Sequence, residues 1–154
     1  MIKIMFVCHG NICRSPLAEF VMKDLVKKAG REKDFYIASA ATSFEETGNP
    51  VYPPIIELMR RHGVPFTERR AVRLNSDDYG KYDLFVIMDK NNDRNIRRIF
   101  ADDPQGKIKM LLSFTGECRD VADPWYYGNF EQTYSDVLAG CTAMIKYFNE
   151  GNEG

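Results

Sequence analysis

The stretch Val7-Cys8-His9-Gly10-Asn11-Ile12-Cys13-Arg14-Ser15-Pro16 brings a cysteine, an arginine and two residue types that tolerate left-handed backbone into one short loop. A loop of this kind at the start of a helix aims several backbone N–H groups at one point, and the helix dipole adds to the pull on an anion there. Phosphate is the natural occupant. Gly10 and Asn11 are the residues expected to supply the left-handed turn, while His9, Ile12 and Cys13 complete the cradle around a bound group. The donors that hold a phosphate also stabilise a thiolate, which would make Cys8 a nucleophile at neutral pH. Arg14 offers a planar fork of donors matched to two phosphoryl oxygens. The Ser15 hydroxyl is placed to hydrogen-bond the sulfur.

A thiolate that takes a phosphoryl group leaves an alkoxide or phenoxide behind, so a proton donor is required. Asp123 is the candidate. It opens Asp123-Pro124-Trp125-Tyr126-Tyr127-Gly128, where Pro124 stiffens the turn and three aromatics stand ready to wall a pocket for a ring.

These residues need a scaffold that joins strand, loop and helix. Residues 2–7 form an apolar, β-branched and aromatic run that reads as a strand buried on both faces. Ser15 as N-cap and Pro16 at the first helical position open a helix whose apolar spacing runs through Leu17, Phe20, Val21, Leu25 and Val26 to Ala29-Gly30. A second strand is expected over 35–38, followed by a long polar loop over 39–54. Such loops in compact domains are usually functional. Further on, 55–61 reads as a helix closed by His62-Gly63, 83–88 as a buried strand, 91–100 as a charged helix and 107–112 as a last strand. Phe130, Tyr134, Val137, Leu138, Cys141, Ile145 and Phe148 mark a long amphipathic helix before a frayed tail over 149–154. Strands alternating with helices predict an α/β fold, a parallel sheet with helices on both faces.

The chain has 154 residues, 44% of them hydrophobic and 28% charged, with a formal net charge of −1. Residues 1–154 are expected to form one domain with one core. The composition excludes collagen-like, disordered and membrane-spanning chains, and the near-zero charge points away from nucleic acid. Cys8, Cys13, Cys118 and Cys141 are too sparse for a secreted disulfide framework, and residues 1–7 are too short for a signal peptide, so a cytoplasmic location with reduced thiols is the expectation.

With these motifs in hand, the chain resembles the low-molecular-weight protein tyrosine phosphatases over essentially its whole length. Cys8 to Pro16 reproduces that family's Cys-x-Gly-Asn-Ile-Cys-Arg-Ser-Pro loop, and Asp123-Pro124 with its aromatics matches the family's late Asp-Pro acid loop. Ser39-Ala40-Ala41-Thr42-Ser43, Gly48-Asn49-Pro50, His62-Gly63 and Met88-Asp89 look like further landmarks. The resemblance implies a flavodoxin-like fold with an open four-stranded parallel sheet, hydrolysis of aryl phosphate monoesters through a cysteinyl-phosphate, and no metal or cofactor. It implies Cys8, Arg14 and Asp123 as nucleophile, phosphate clamp and acid, with Asn11 and Ser39 bracing the loop. It also implies that Cys13 can form a disulfide with an oxidised Cys8. The substrate would be a phosphotyrosine protein or a small aryl phosphate. Two positions depart from the pattern. Where members often carry a Tyr or Trp after the second strand, this chain has Glu45 with Phe44 beside it, and a histidine common after the His-Gly pair gives way to Glu68 or Arg69.

Other readings compete at several of these residues. Cys8 and Cys13 could simply pack, and with His9 they could suggest a metal site, but no second pair completes four ligands. Cys118 and Cys141 read as ordinary core or surface thiols, and His62 as a helix C-terminal residue favoured by the dipole. Arg60, Arg61, Arg69, Arg70 and Arg73 read as a solvated face, with steering of an acidic phosphopeptide as the functional alternative. An arsenate reductase would need relay cysteines in mid-chain, and none lies between Cys13 and Cys118. A phosphoarginine phosphatase tends to carry threonine where this chain has Ile12, whose apolar side chain suits an aryl ring. A non-catalytic phosphate-binding module would have no use for a reactive thiol beside an acid.

Overall fold

The computed structural model describes residues 1–151, apart from the side chains of Tyr126 and Tyr127. Four parallel strands, β1 (Ile2–Cys8), β2 (Phe35–Ala41), β3 (Leu84–Ile87) and β4 (Ile108–Met110), stand in the order β2-β1-β3-β4. Five helices accompany them: α1 (Arg14–Lys28), α2 (Pro53–Arg61), α3 (Lys90–Phe100), the single turn α4 (Pro124–Tyr127) and α5 (Phe130–Asn149). Short 3₁₀ turns fill Glu32–Asp34, Ser76–Gly80 and Leu111–Thr115. No helix among the described residues is long and apolar enough to cross a membrane.

The pleat sorts the core. Along β1, Ile4, Phe6 and Cys8 face the cluster built with Leu17, Val21, Val137 and Met144 of α1 and α5. Met5 and Val7 face the opposite cluster, which holds Phe85, Ile87 and Ile96 of β3 and α3. Both faces are thus covered, and residues 4–8 of β1 and all of β3 are buried and apolar because neither side meets water.

The chain leaves β1 toward β2 on one side of the sheet and reaches β3 on the other. This reversal of strand order opens a crevice at the carboxyl ends of β1 and β3, where open α/β sheets bind ligands. The loop after β1 and Asp89 after β3 lie there.

Several boundaries differ from expectation by a residue or more, and three of the differences have a tertiary cause. β2 runs three residues further, to Ala41, because the bonds Ala41 N–H to Val72 O and Leu74 N–H to Ala41 O extend its edge. Ser39 therefore sits in a strand and not in a loop. The expected last strand shortens to 108–110, and Leu111 and Leu112 turn into a 3₁₀ segment packed on α5. Helix α1 begins at Arg14, with Cys13 as a cap that makes no side-chain hydrogen bond. Ser15 is not the cap, because its hydroxyl has a stronger tertiary partner.

Candidate active site

The loop from Cys8 to Arg14 turns its carbonyls outward. Those of Cys8 and His9 accept from the N–H groups of Thr42 and Ser43, and that of Ile12 accepts from Tyr52 N–H. Among the described residues, the N–H groups of residues 10 to 14 have no acceptor in the protein. An array of free donors at the start of a fifteen-residue helix is an anion site. Asn11 takes the left-handed conformation, with φ of 61°. Gly10 does not, contrary to expectation. Its missing Cβ instead makes room for Glu46, whose Cγ would lie 3.2 Å from such an atom.

Beneath the loop, polar side chains form a continuous network. Asn11 is fully buried and donates from Nδ2 to Ser15 Oγ at 2.7 Å and to Ser39 Oγ at 3.0 Å. Its Oδ1 accepts from Arg69 Nη2 at 2.7 Å and from Val72 N–H at 3.2 Å, which fixes which way the amide points. With Ser15 Oγ already accepting, its own hydrogen is free for Cys8 Sγ, 3.0 Å away. Ser39 passes its hydrogen to Glu19, and Arg69 Nε lies 3.6 Å from the same carboxylate. Such a network is strong only when every member is satisfied, and here each has its partner.

Arg69 is the residue that sequence reasoning missed. It stands among basic residues that read as a solvated face, yet it reaches Asn11 O and Ser39 O as well as Asn11 Oδ1. Burial lowers its pKa, against the pull of Glu19 and Cys8, and a guanidinium remains charged in any case. Arg73 also turns in, donating to Leu74 O and lying 4.5 Å from the Phe44 ring. Arg60, Arg61 and Arg70 keep to the surface as expected. Arg69→Met should leave the fold intact but lower kcat on p-nitrophenyl phosphate by roughly 10- to 100-fold, since hydrogen bonds to a charged group contribute about 1.5–3 kcal/mol. Steady-state kinetics alongside a thermal melt would check this; unchanged kcat would reduce Arg69 to packing.

Arg14 is almost wholly buried, at 2% exposure. Nη1 donates to Val121 O and pairs with Asp89 Oδ2, both at 2.8 Å, and Nη2 lies 3.4 Å from Asp123 Oδ2. Burial opposes its charge, but Cys8, Asp89 and Asp123 outweigh that and raise its pKa. Asp89 also caps α3, accepting from Asn92 N–H at 2.7 Å. One carboxylate thus orients both the helix and the clamp. Asp123 caps α4 through Trp125 N–H at 3.0 Å, leaving Oδ2 toward the pocket.

A pocket of about 140 Å³ is lined by Cys8, His9, Gly10, Ile12, Cys13, Arg14, Glu45, Glu46, Asp123 and Trp125. Most of the residues expected to line the site therefore meet there. Asn11 and Ser15 lie under the loop as braces and do not reach the pocket surface. Phe44 is also absent from the wall: 70% exposed, it lies against Arg73, and Glu45 takes the place beside the pocket. Trp125 stands half-exposed on the rim, braced by the Tyr52 ring 4.7 Å away. The side chains of Tyr126 and Tyr127 lie outside the described residues. His62 caps α2 and stacks on Tyr134, as a structural residue would.

A doubly covered parallel sheet with a cysteine-arginine anion loop at its switch point defines a phosphoryl-transfer enzyme with a cysteine in the cradle. The family model for the low molecular weight phosphotyrosine protein phosphatases matches residues 3–153. The chain is 35% identical over 147 residues to the low molecular weight protein-tyrosine-phosphatase YfkJ of Bacillus subtilis, covering 94% of each. It is 34% identical over 148 residues to PtpA of Staphylococcus aureus, covering 96% of this chain and 94% of the relative. The crystal structure of YfkJ superposes with a TM-score of 0.94 at 33% identity, covering 99% of this chain and 98% of that one. The chain belongs to the low molecular weight phosphotyrosine protein phosphatase family. It is a phosphoric monoester hydrolase of the protein-tyrosine-phosphatase class, and its open four-stranded parallel sheet is the fold expected from the sequence.

Proposed function

We propose that the protein hydrolyses phosphotyrosine, in a protein or as a small aryl phosphate, through a phosphoryl group carried on Cys8. The observation that carries this reading is the meeting of the Cys8 sulfur, the Ser15 hydroxyl at 3.0 Å, the buried Arg14 and the Asp123 carboxyl at one anion cradle. Ile12 and Trp125 supply the apolar flank an aryl ring needs.

In the first step the Cys8 thiolate attacks phosphorus, the P–O bond to the ring breaks, and protonated Asp123 gives its proton to the departing oxygen. The products are a phenol, a cysteinyl-phosphate and an Asp123 carboxylate. In the second step that carboxylate takes a proton from water as the water oxygen bonds to phosphorus. The S–P bond breaks, returning the thiolate and releasing phosphate. Arg14 and the free loop N–H groups hold the charge on the equatorial oxygens throughout, already oriented and sheltered from water. Ser15 stabilises the sulfur as it leaves.

Cys13 lines the same pocket, and its thiol is pushed up by burial and by the negative charges of Cys8 and Asp123. A protonated neighbour does not compete with Cys8 for the phosphoryl group. We assign to it the capture of Cys8 sulfenic acid, which would form a disulfide with loss of water.

Leaving-group dependence tests the acid. Asp123→Asn should lower kcat/KM, which reports the steps up to departure of the leaving group, by roughly 10²- to 10⁴-fold on phenyl phosphate and much less on p-nitrophenyl phosphate, because nitrophenolate leaves without a proton. Equal losses on both would mean that Asp123 holds α4 and Arg14 in place and donates nothing.

A further inference from the structure

The lining of the pocket includes two carboxylates, Glu45 and Glu46. Glu45 is two-thirds exposed and tied only to His9, Nε2 to Oε2 at 2.9 Å. Glu46 accepts from Asn49 Nδ2 at 2.6 Å. Among the described residues neither carboxylate is paired with a lysine or arginine. On the other side, a cavity of about 590 Å³ shares His9, Arg14 and Asp123 with the pocket and is walled by Asp89, Asn91, Asn95 and Asp120. Asp120 accepts there from Lys90 N–H.

Three arginines near the site do not balance this rim. Arg69 and Arg73 are drawn beneath the loop and onto Phe44, and Arg14 lies at the bottom of the pocket, already facing two aspartates. The phosphate is therefore attracted deep in the site, whereas whatever flanks it meets carboxylates. A cleft edged by one sign of charge focuses its field outward and sorts ligands by the opposite sign.

Resting on the reading above, we propose that Glu45 and Glu46 are specificity-determining residues which select phosphotyrosine flanked by lysine or arginine and reject acidic flanks. This is opposite to the steering of an acidic phosphopeptide that stood as the functional alternative for Arg60, Arg61, Arg69, Arg70 and Arg73. The stacking that an aromatic residue would give at position 45 is replaced by charge pairing with the neighbours of the phosphorylated residue.

Two matched phosphotyrosine peptides, one with lysine on both sides and one with glutamate, test it, together with their non-hydrolysable phosphonate analogues as inhibitors of p-nitrophenyl phosphate hydrolysis. At low ionic strength the lysine peptide should be favoured by roughly tenfold, in kcat/KM and in the inhibition constant of its analogue. Raising salt to about 1 M, where the Debye length is near 3 Å, should bring the ratio close to one. In the double variant Glu45→Gln, Glu46→Gln the ratio should fall to about two or below at any salt. An inhibition ratio near one or reversed in the parent, or one that survives in the double variant, overturns the proposal. If the analogues discriminate as expected but neither peptide is turned over, the rim assignment stands and the phosphotyrosine reading fails.

Discussion

Cys8→Ser is expected to lose at least about four orders of magnitude in turnover of p-nitrophenyl phosphate, while phosphate or vanadate still binds within roughly tenfold of the parent. The serine oxygen keeps the shape of the cradle and its hydrogen bond to Ser15. It lacks the thiolate that attacks phosphorus and departs again. The loop geometry does not depend on the sulfur, because the carbonyls of residues 8, 9 and 12 are held by Thr42, Ser43 and Tyr52 and Asn11 by Arg69 and Val72. Phosphate or vanadate binding measured directly by titration calorimetry, alongside turnover of p-nitrophenyl phosphate, would separate the two effects. Hydrolysis persisting in the variant would remove Cys8 from the chemistry.

Arg14→Lys should be nearly as damaging, with kcat/KM down by roughly a thousandfold, because loss of a preorganised donor at developing charge costs about 10²–10³ and an ammonium cannot copy the fork. The guanidinium in the protein serves Val121 O and Asp89 with one nitrogen and faces Asp123 with the other. A lysine Nζ can sit at one of those places, leaving either Asp89 or Asp123 without the partner it has in the parent. Affinity for phosphate should fall with kcat, in contrast to the cysteine variant. A variant that keeps more than a tenth of the parent activity would show that Arg14 acts as a point charge.

What could be read from the sequence was the local chemistry. Cys8, Arg14 and the residues between them lie in one loop, so their spacing alone places them together, and Asp123 announces itself by the proline and aromatics that follow. The elements around them followed from apolar runs long enough to have a period. What escaped were interactions whose two ends lie far apart in the chain. Arg69 meets Asn11 across 58 residues, and a basic residue among other basic residues carries no local mark of being turned inward. Asp89 entered only as part of the Met88-Asp89 landmark; one of its carboxylate oxygens caps α3 and the other serves Arg14, a pairing that only the juxtaposition of β1 and β3 reveals. Ser15 meets the sulfur of Cys8 as expected, but it is not the helix cap. A serine before a proline has the local pattern of an N-cap, yet tertiary bonds to Asn11 and Cys8 claimed its hydroxyl. Phe44 was assigned to the pocket by its neighbourhood, whereas cation–π contact with Arg73 draws it away.

The central claim is that the phosphoryl group passes through the sulfur of Cys8. Acid quenching during turnover of p-nitrophenyl phosphate, followed by mass spectrometry of the digested protein, tests it directly. The account predicts a phosphate adduct on the peptide that begins the loop, localised to Cys8, accumulating further in Asp123→Asn as hydrolysis of the intermediate slows, and absent from Cys8→Ser. An adduct on any other residue, or turnover in which no adduct forms in either active protein, would contradict it.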